Sequence, residues 1–271
     1  MLFNQNSMNF IGNLDPMVLL ERNVSDIKNP CAIISPHAGY IFSGDVASSV
    51  FNTIDQNKTY KNVFILSTSH TSHYKGASCL YDDIYTTPFG DMKINKNINM
   101  DLCNDSDDFI RPDINSFLND HTIEVILPFV YYRVKYENIV PIMIGDTNPY
   151  VINKLSTYLK KYLIDDNLFI ISSDFSHYPS YSDAIKIDNE TKDMILKNNS
   201  TNFLKNINKD LGYDNLRTRM CGWSSYLTLL YMIENENIDI DIIKYKNSGD
   251  TIFSDKNSVV GYFGISFSKK K

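Results

Sequence analysis

The chain has 271 residues, is 43% hydrophobic and 21% charged, and carries a formal net charge of -6. That is a globular composition with ample length for one sizeable core, and the acidic balance argues against a nucleic-acid-binding protein, which needs a concentrated basic face. No apolar stretch approaches the roughly 20 residues that span a bilayer, and the start, MLFNQNSMNF, lacks the basic segment and apolar run of a secretory signal.

In chain order, CAIIS (31–35) is a short apolar run ended by Pro36 and reads as a strand. Apolar residues at 46, 47, 50, 51 and 54 have helical spacing, so a helix is predicted over 44–54, with Ser43 and Asp45 as its start signals. NVFILS (62–67) is a second buried strand. CLYDDIYTTP and MKI suggest a further strand pair, with Pro88 and Gly90 at the turn. The polar stretch 101–120 reads as an irregular surface excursion. Residues 122–135 are apolar at helical spacing, with Pro128 placed to kink or restart the helix.

IVPIMIG (139–145) is a third strand, 150–163 an amphipathic helix, and LFIISS (168–173) a fourth strand. One or two helices fill 182–206, and a well-buried one 222–233. IDIDIIKYK and VVGYFGISF close the chain as strands, and Lys269-Lys270-Lys271 reads as a frayed tail. Strands alternating with helices mean βαβ units and a largely parallel sheet covered on both faces. No repeat, low-complexity segment or linker is visible, so residues 1–271 are read as one domain.

The five histidines are His37, His70, His73, His121 and His177. Three of them follow strands: His37 after CAIIS, His70 after VFILS, and His177 after LFIISS. In a parallel sheet those strand ends share one edge, the edge where α/β proteins bind ligands. Residues far apart in sequence thus converge on one site. Pro36 and Gly39 bracket His37 and restrain the backbone that aims its imidazole. Asp174, three residues before His177, either fixes an imidazole tautomer or caps a following turn. His121 and Glu124, in HTIEVILP, either form a capping arrangement with Asp120 or Thr122, or line the same pocket. His73 lies in a polar loop and is a spare candidate. Gly39, Ser43 and Gly44 could form an anion nest ahead of a helix, suited to a carboxylate or phosphate.

The cysteines, Cys31, Cys79, Cys103 and Cys221, are widely spaced with no CxxC pair, and read as reduced thiols in a cytoplasmic compartment. Cys221, in RMCGWSS, precedes a buried helix whose N-terminus would stabilise a thiolate. It is either a soft metal ligand completing a His, His, Cys set or a buried apolar cysteine. The other three are taken as structural. The motifs GxGxxG, GxxxxGK[ST], GxSxG and HExxH are absent.

PHAGYIFSGDVA, STSH, HTIEVILPF, PIMIGD, SSDFSHY and CGW, in that order, resemble the MEMO family, named for mediator of ErbB2-driven cell motility and also supplying the B protein of the AmmeMemoRadiSam system. The resemblance runs from about Cys31 to about Ser266. It implies a fold similar to the LigB-type class III extradiol dioxygenases, non-haem iron enzymes that open catechol rings: a three-layer α/β/α sandwich around a mixed, mostly parallel sheet. By motif, His37, His70 and Cys221 match the family's metal ligands. His177 matches a candidate acid–base, Asp174 a carboxylate beside it, and His121 and Glu124 the H-[ST]-I-E element. Glu124, Tyr40, Ser43 and Gly44 are expected to line the pocket. In the dioxygenases the third ligand is a carboxylate; here the matching position is a cysteine. Family members usually begin with a glycine–aromatic segment, which NSMNFIGNLDPMVLL does not match, so residues 1–30 are expected to be truncated or differently folded.

The first functional expectation is a non-haem iron oxidoreductase acting on a catecholic or related aromatic substrate, with copper or zinc as other metals. The second is a protein that binds iron or copper, or a peptide or phosphopeptide, without turnover. The third is zinc-assisted hydrolysis.

Overall fold

In the computed structural model, which describes residues 1–22, 25–252 and 255–270, the apolar runs become strands buried on both faces. After a 3-10 turn at Gln5–Ser7 come α1 (Met8–Ile11), α2 (Pro16–Arg22), β1 (Ala32–Ser35), α3 (Tyr40–Phe51), β2 (Thr59–Thr68) and β3 (Ala77–Cys79). A small ribbon follows, β4 (Ile84–Thr87) and β5 (Gly90–Lys93), then α4 (Lys96–Asp105), β6 (Ile110–Pro112), α5 (Asn115–Leu118), α6 (Leu127–Arg133) and β7 (Lys135–Ile144). The chain continues through α7 (Pro149–Lys160), β8 (Asn167–Ser172), α8 (Tyr181–Leu196), α9 (Ser200–Ile207), α10 (Trp223–Ile233), β9 (Ile238–Asn247) and β10 (Gly261–Lys269).

Eight strands form one sheet in the order β6-β3-β7-β2-β8-β1-β10-β9. The central run β7-β2-β8-β1 is parallel throughout, as is β3 with β6, while β3–β7, β1–β10 and β10–β9 are antiparallel. The sheet is therefore mixed and mostly parallel, with helices on both sides. Along β2, Phe64 and Leu66 enter the layer holding α7, α9 and α10, and Val63 and Ile65 the layer holding α3 and α6. Successive side chains of a strand point to opposite faces. With both faces dry, both alternate positions are apolar through the middle of each strand, which explains the unbroken apolar runs, and the buried polar residues such as Ser35, Ser67 and Ser172 fall near the strand ends.

Several expectations shift. The helix predicted over 44–54 begins at Tyr40 and ends at Phe51. Ser43 lies inside it, donating to the Ala38 carbonyl, so no anion nest forms. Residues 122–126 are irregular, and Pro128 starts α6 in its first turn, where a missing N–H costs nothing. The strand read through CLYDDIYTTP divides: Cys79 ends β3 in the main sheet, and Ile84–Thr87 belongs to the separate ribbon. The excursion at 101–120 is more ordered than expected. It holds the end of α4, the edge strand β6 and α5, with Asn95 capping α4 through the Ile98 amide. The tail reading is corrected too. Lys269 closes β10 and pairs with Asp165 at 2.8 Å, and Lys270 pairs with Asp239 at 3.3 Å; Lys271 lies outside the described residues. No helix among the described residues is long and apolar enough to cross a membrane.

Candidate metal centre

Because β1, β2 and β8 run parallel, their carboxyl ends reach the same edge. His37 sits two residues past β1 and His70 two past β2, with ring centroids 5.1 Å apart at 86°. Cys221 arrives from the other side of the chain, one residue before the Gly222 that caps α10. Hydrogen bonds that the Thr68 hydroxyl, at the end of β2, shares with the Ser224 and Ser225 hydroxyls tie the start of α10 to the sheet edge. Gly222 is needed there: a Cβ would lie 2.6 Å from both the Ser172 carbonyl oxygen and Ser173 Cβ. One donor atom each from His37, His70 and Cys221 lie within 4.8 Å of one another.

The hydrogen bonds fix the tautomer of both imidazoles. Ser172 Oγ donates its one proton to the Thr122 carbonyl at 2.6 Å, so toward His37 Nδ1, at 2.8 Å, it accepts. His37 therefore carries its proton on Nδ1 and a lone pair on Nε2, which lies 3.4 Å from Cys221 Sγ. His70 Nδ1 lies 2.8 Å from the Thr68 carbonyl, which can only accept, so its Nε2 lone pair is free as well. Such outer partners orient metal-binding imidazoles. The Asp174 amide donates to Cys221 Sγ at 3.2 Å. Two imidazoles that turn Nε2 toward the cluster and one cysteine sulfur fit a soft or borderline divalent or monovalent metal ion.

Asp174 Oδ1 accepts the amides of His37 and Ala38, at 2.9 and 3.3 Å. Its Oδ2 lies 3.9 Å from His37 Nε2. Burial pushes the Asp174 carboxyl up to about 6 against the pull of those amides. Burial, followed by the charges of the other histidines, holds His37 well below its usual range and so neutral.

His121 lies 5.7 Å from His37 and 6.1 Å from His70, centroid to centroid, and burial lowers it to about 4. His177 is held by bridges to Thr218 and Val260, and its Nε2 is buried with no hydrogen-bond partner among the described residues. The next residue, Tyr178, has φ +73°, a conformation rare for a bulky side chain. His73 makes none of these contacts.

The structure thus brings together His37, His70, His121, Asp174 and Cys221. It places Tyr40, Ser43 and Gly44 inside α3, where the Tyr40 hydroxyl donates to the Val125 carbonyl and Gly44 packs on Leu19. Glu124 makes no cap with Asp120 or Thr122. It accepts from the Asn4 amide, Ser7 Oγ and Tyr85 Oη, turned toward the N-terminal segment.

Three contributors escaped the sequence reading. Asp120, 1% exposed, accepts the His70 amide through Oδ2 and Thr122 through Oδ1. Ser172 fixes His37. Phe10 stacks on His121 at 3.8 Å and 7°. Asp120 stood beside a suspected histidine and Ser172 inside the SSD motif. Nothing in NSMNFIG marked Phe10, because stacking across more than a hundred residues leaves no local pattern.

The profile of the family described as Memo-like protein matches residues 3–266. A MEMO1 family protein of Sulfurisphaera tokodaii is 32% identical over 246 residues, covering 89% of this chain and 84% of that protein. One from Desulfurococcus amylolyticus is 31% identical over 251 residues, covering 90% and 85%. Among solved structures, the uncharacterized protein JW3007 from Escherichia coli K12 aligns with a TM-score of 0.53 at 11% identity, covering 87% of this chain and 98% of that one, a likeness of fold. With the family profile matching from residue 3 to residue 266, the chain belongs to the Memo-like protein family.

Proposed function

We propose that the protein binds iron(II) through His37, His70 and Cys221 and uses it to oxidise a catecholic or related aromatic substrate with oxygen. The observation that carries this reading is the pair of directed Nε2 lone pairs beside Cys221 Sγ, a three-donor set that leaves room for further ligands. Bound there, iron(II) would supply a redox-active Lewis acid with open positions, as three-ligand non-haem iron sites do; copper or zinc would suit the same donors. Asp174 Oδ2 has no amide partner and stands ready to take a proton from a substrate hydroxyl. His177, with an unpartnered buried Nε2, is the second group able to hold or return a proton. His121, kept neutral by burial, would present an uncharged edge to the substrate.

A second reading rests on the exposure of His70, which contrasts with His37 at 2%. That exposed imidazole supports a module that binds a peptide or phosphopeptide at the same site without turnover.

The test is elemental mass spectrometry of protein purified without oxygen or chelator, beside His70→Ala, followed by oxygen uptake with catechols. Near-stoichiometric iron that disappears in the variant, together with catechol-dependent oxygen uptake, is expected. Metal without uptake would favour the binding reading. No metal in either protein, even after iron(II) reconstitution, would overturn the metal assignment.

A further inference from the structure

Away from the metal centre, two cysteines meet. Cys79, at the end of β3, and Cys103, in the last turns of α4, have their sulfurs 3.2 Å apart. A disulfide needs about 2.05 Å between sulfurs, so bonding requires only about 1 Å of closure. The arrangement is held from outside the pair: Asn99, one turn before Cys103, donates from its side chain to the Leu80 carbonyl at 2.6 Å and fixes α4 over the end of β3. The two thiols differ. Cys79 is fully buried, and Cys103 is partly exposed.

We propose that Cys79 and Cys103 are a thiol–disulfide exchange site, in which Cys103 attacks a small disulfide of the glutathione class and Cys79 resolves the adduct into an internal disulfide. In the first step the Cys103 thiolate, its proton released to solvent, displaces one thiolate from the small disulfide and forms a mixed disulfide. In the second, Cys79 loses its proton and attacks Cys103 Sγ, forming the internal bond and expelling the second small thiolate. Both leaving thiolates are protonated, so the two protein thiols are oxidised by two electrons and one small disulfide is reduced to two thiols.

The assignment of roles follows from the surroundings. Only Cys103 is open to an incoming disulfide. The hydrogen bond from Cys79, helped by one from the Tyr81 hydroxyl, lowers the Cys103 thiol to about 7 against its partial burial, while Cys79 is driven up by the same hydrogen bond and by burial. A thiol titrating near neutrality is the effective attacker. Cys31 is a contrast: 7% exposed, donating to the Phe267 carbonyl and raised by burial, it has neither access nor a partner sulfur.

The experiment treats the metal-loaded, reduced full chain with glutathione disulfide at several pH values, alkylates the remaining thiols, and maps peptides by mass spectrometry. The expected result is a Cys79–Cys103 cross-link whose rate rises through about pH 7, with Cys31 still alkylated. Cys79→Ser should stop at a stable glutathione adduct on Cys103, and Cys103→Ser should leave Cys79 unmodified. The proposal is overturned if both cysteines stay alkylatable in the unsubstituted protein, or if glutathione remains on Cys103 there without a cross-link. The cross-link in the unsubstituted chain is decisive even where a variant fails to fold.

Discussion

Replacing Ser172 with alanine removes one oxygen and strands two groups. Ser172 Oγ accepts from His37 Nδ1 and donates to the Thr122 carbonyl, and all three residues are buried. Leaving a buried donor or acceptor without a partner costs about 1–3 kcal/mol each, so the variant should lose roughly 2–6 kcal/mol of stability. The same change frees the tautomer of His37, which then spends part of its time with the proton on Nε2 and no lone pair for a metal. Losing an outer partner of a ligating histidine typically weakens metal binding about 10- to 100-fold. The assay is an anaerobic competition titration of iron(II) or zinc(II) against a chelator, with urea unfolding of the metal-free protein beside it. Ser266→Ala is the control, because Ser266 Oγ is buried without a hydrogen-bond partner among the described residues and its removal should be neutral or mildly stabilising. If Ser172→Ala binds metal as tightly as the parent, the tautomer argument fails, and with it the case that the His37 lone pair is aimed at a metal.

Two other perturbations probe the surroundings. Burial pushes Asp188, which accepts the Ser176 amide and the Tyr245 hydroxyl, up to about 7 from an ordinary 3.8. The folded protein therefore holds a proton that the unfolded chain releases, and stability falls as pH rises from about 4 to about 7, by up to about 4 kcal/mol. Asp188→Asn should flatten urea midpoints across that window; an unchanged slope would show that Asp188 is ionised in the fold. Phe10→Ala should remove about 1–2 kcal/mol of half-buried aromatic packing and expose His121 to water. The His121 imidazole should then titrate above its present value of about 4, read by NMR; no movement would mean that Phe10 is not what dries it.

The strand runs were legible because both faces of the central sheet are buried, so CAIIS, VFIL and LFII could not alternate. Their parallel order then placed His37 and His70 on one edge without knowledge of any contact. The short elements were not legible. β6 is three residues of edge strand, and α4 buries little beyond Leu102 and Asn99, so neither carries an apolar signal. The start of α3 was misplaced by four residues because Ser43 and Asp45 look like caps, whereas the turn after Pro36 sets the helix going at Tyr40.

By itself the sequence determined the α/β architecture and the edge at which chemistry gathers, since periodicity and strand-end position are written locally; Cys221 joined His37 and His70 only through the family resemblance, because its own position left a ligand and a buried cysteine both open. Only the tertiary structure decided which imidazole nitrogen is free, that Asp120 and Ser172 hold the ligands, that Phe10 covers His121, and that Cys79 meets Cys103. Each of those depends on side chains brought together across long loops, and a contact of that kind leaves no trace in the spacing of residues along one element.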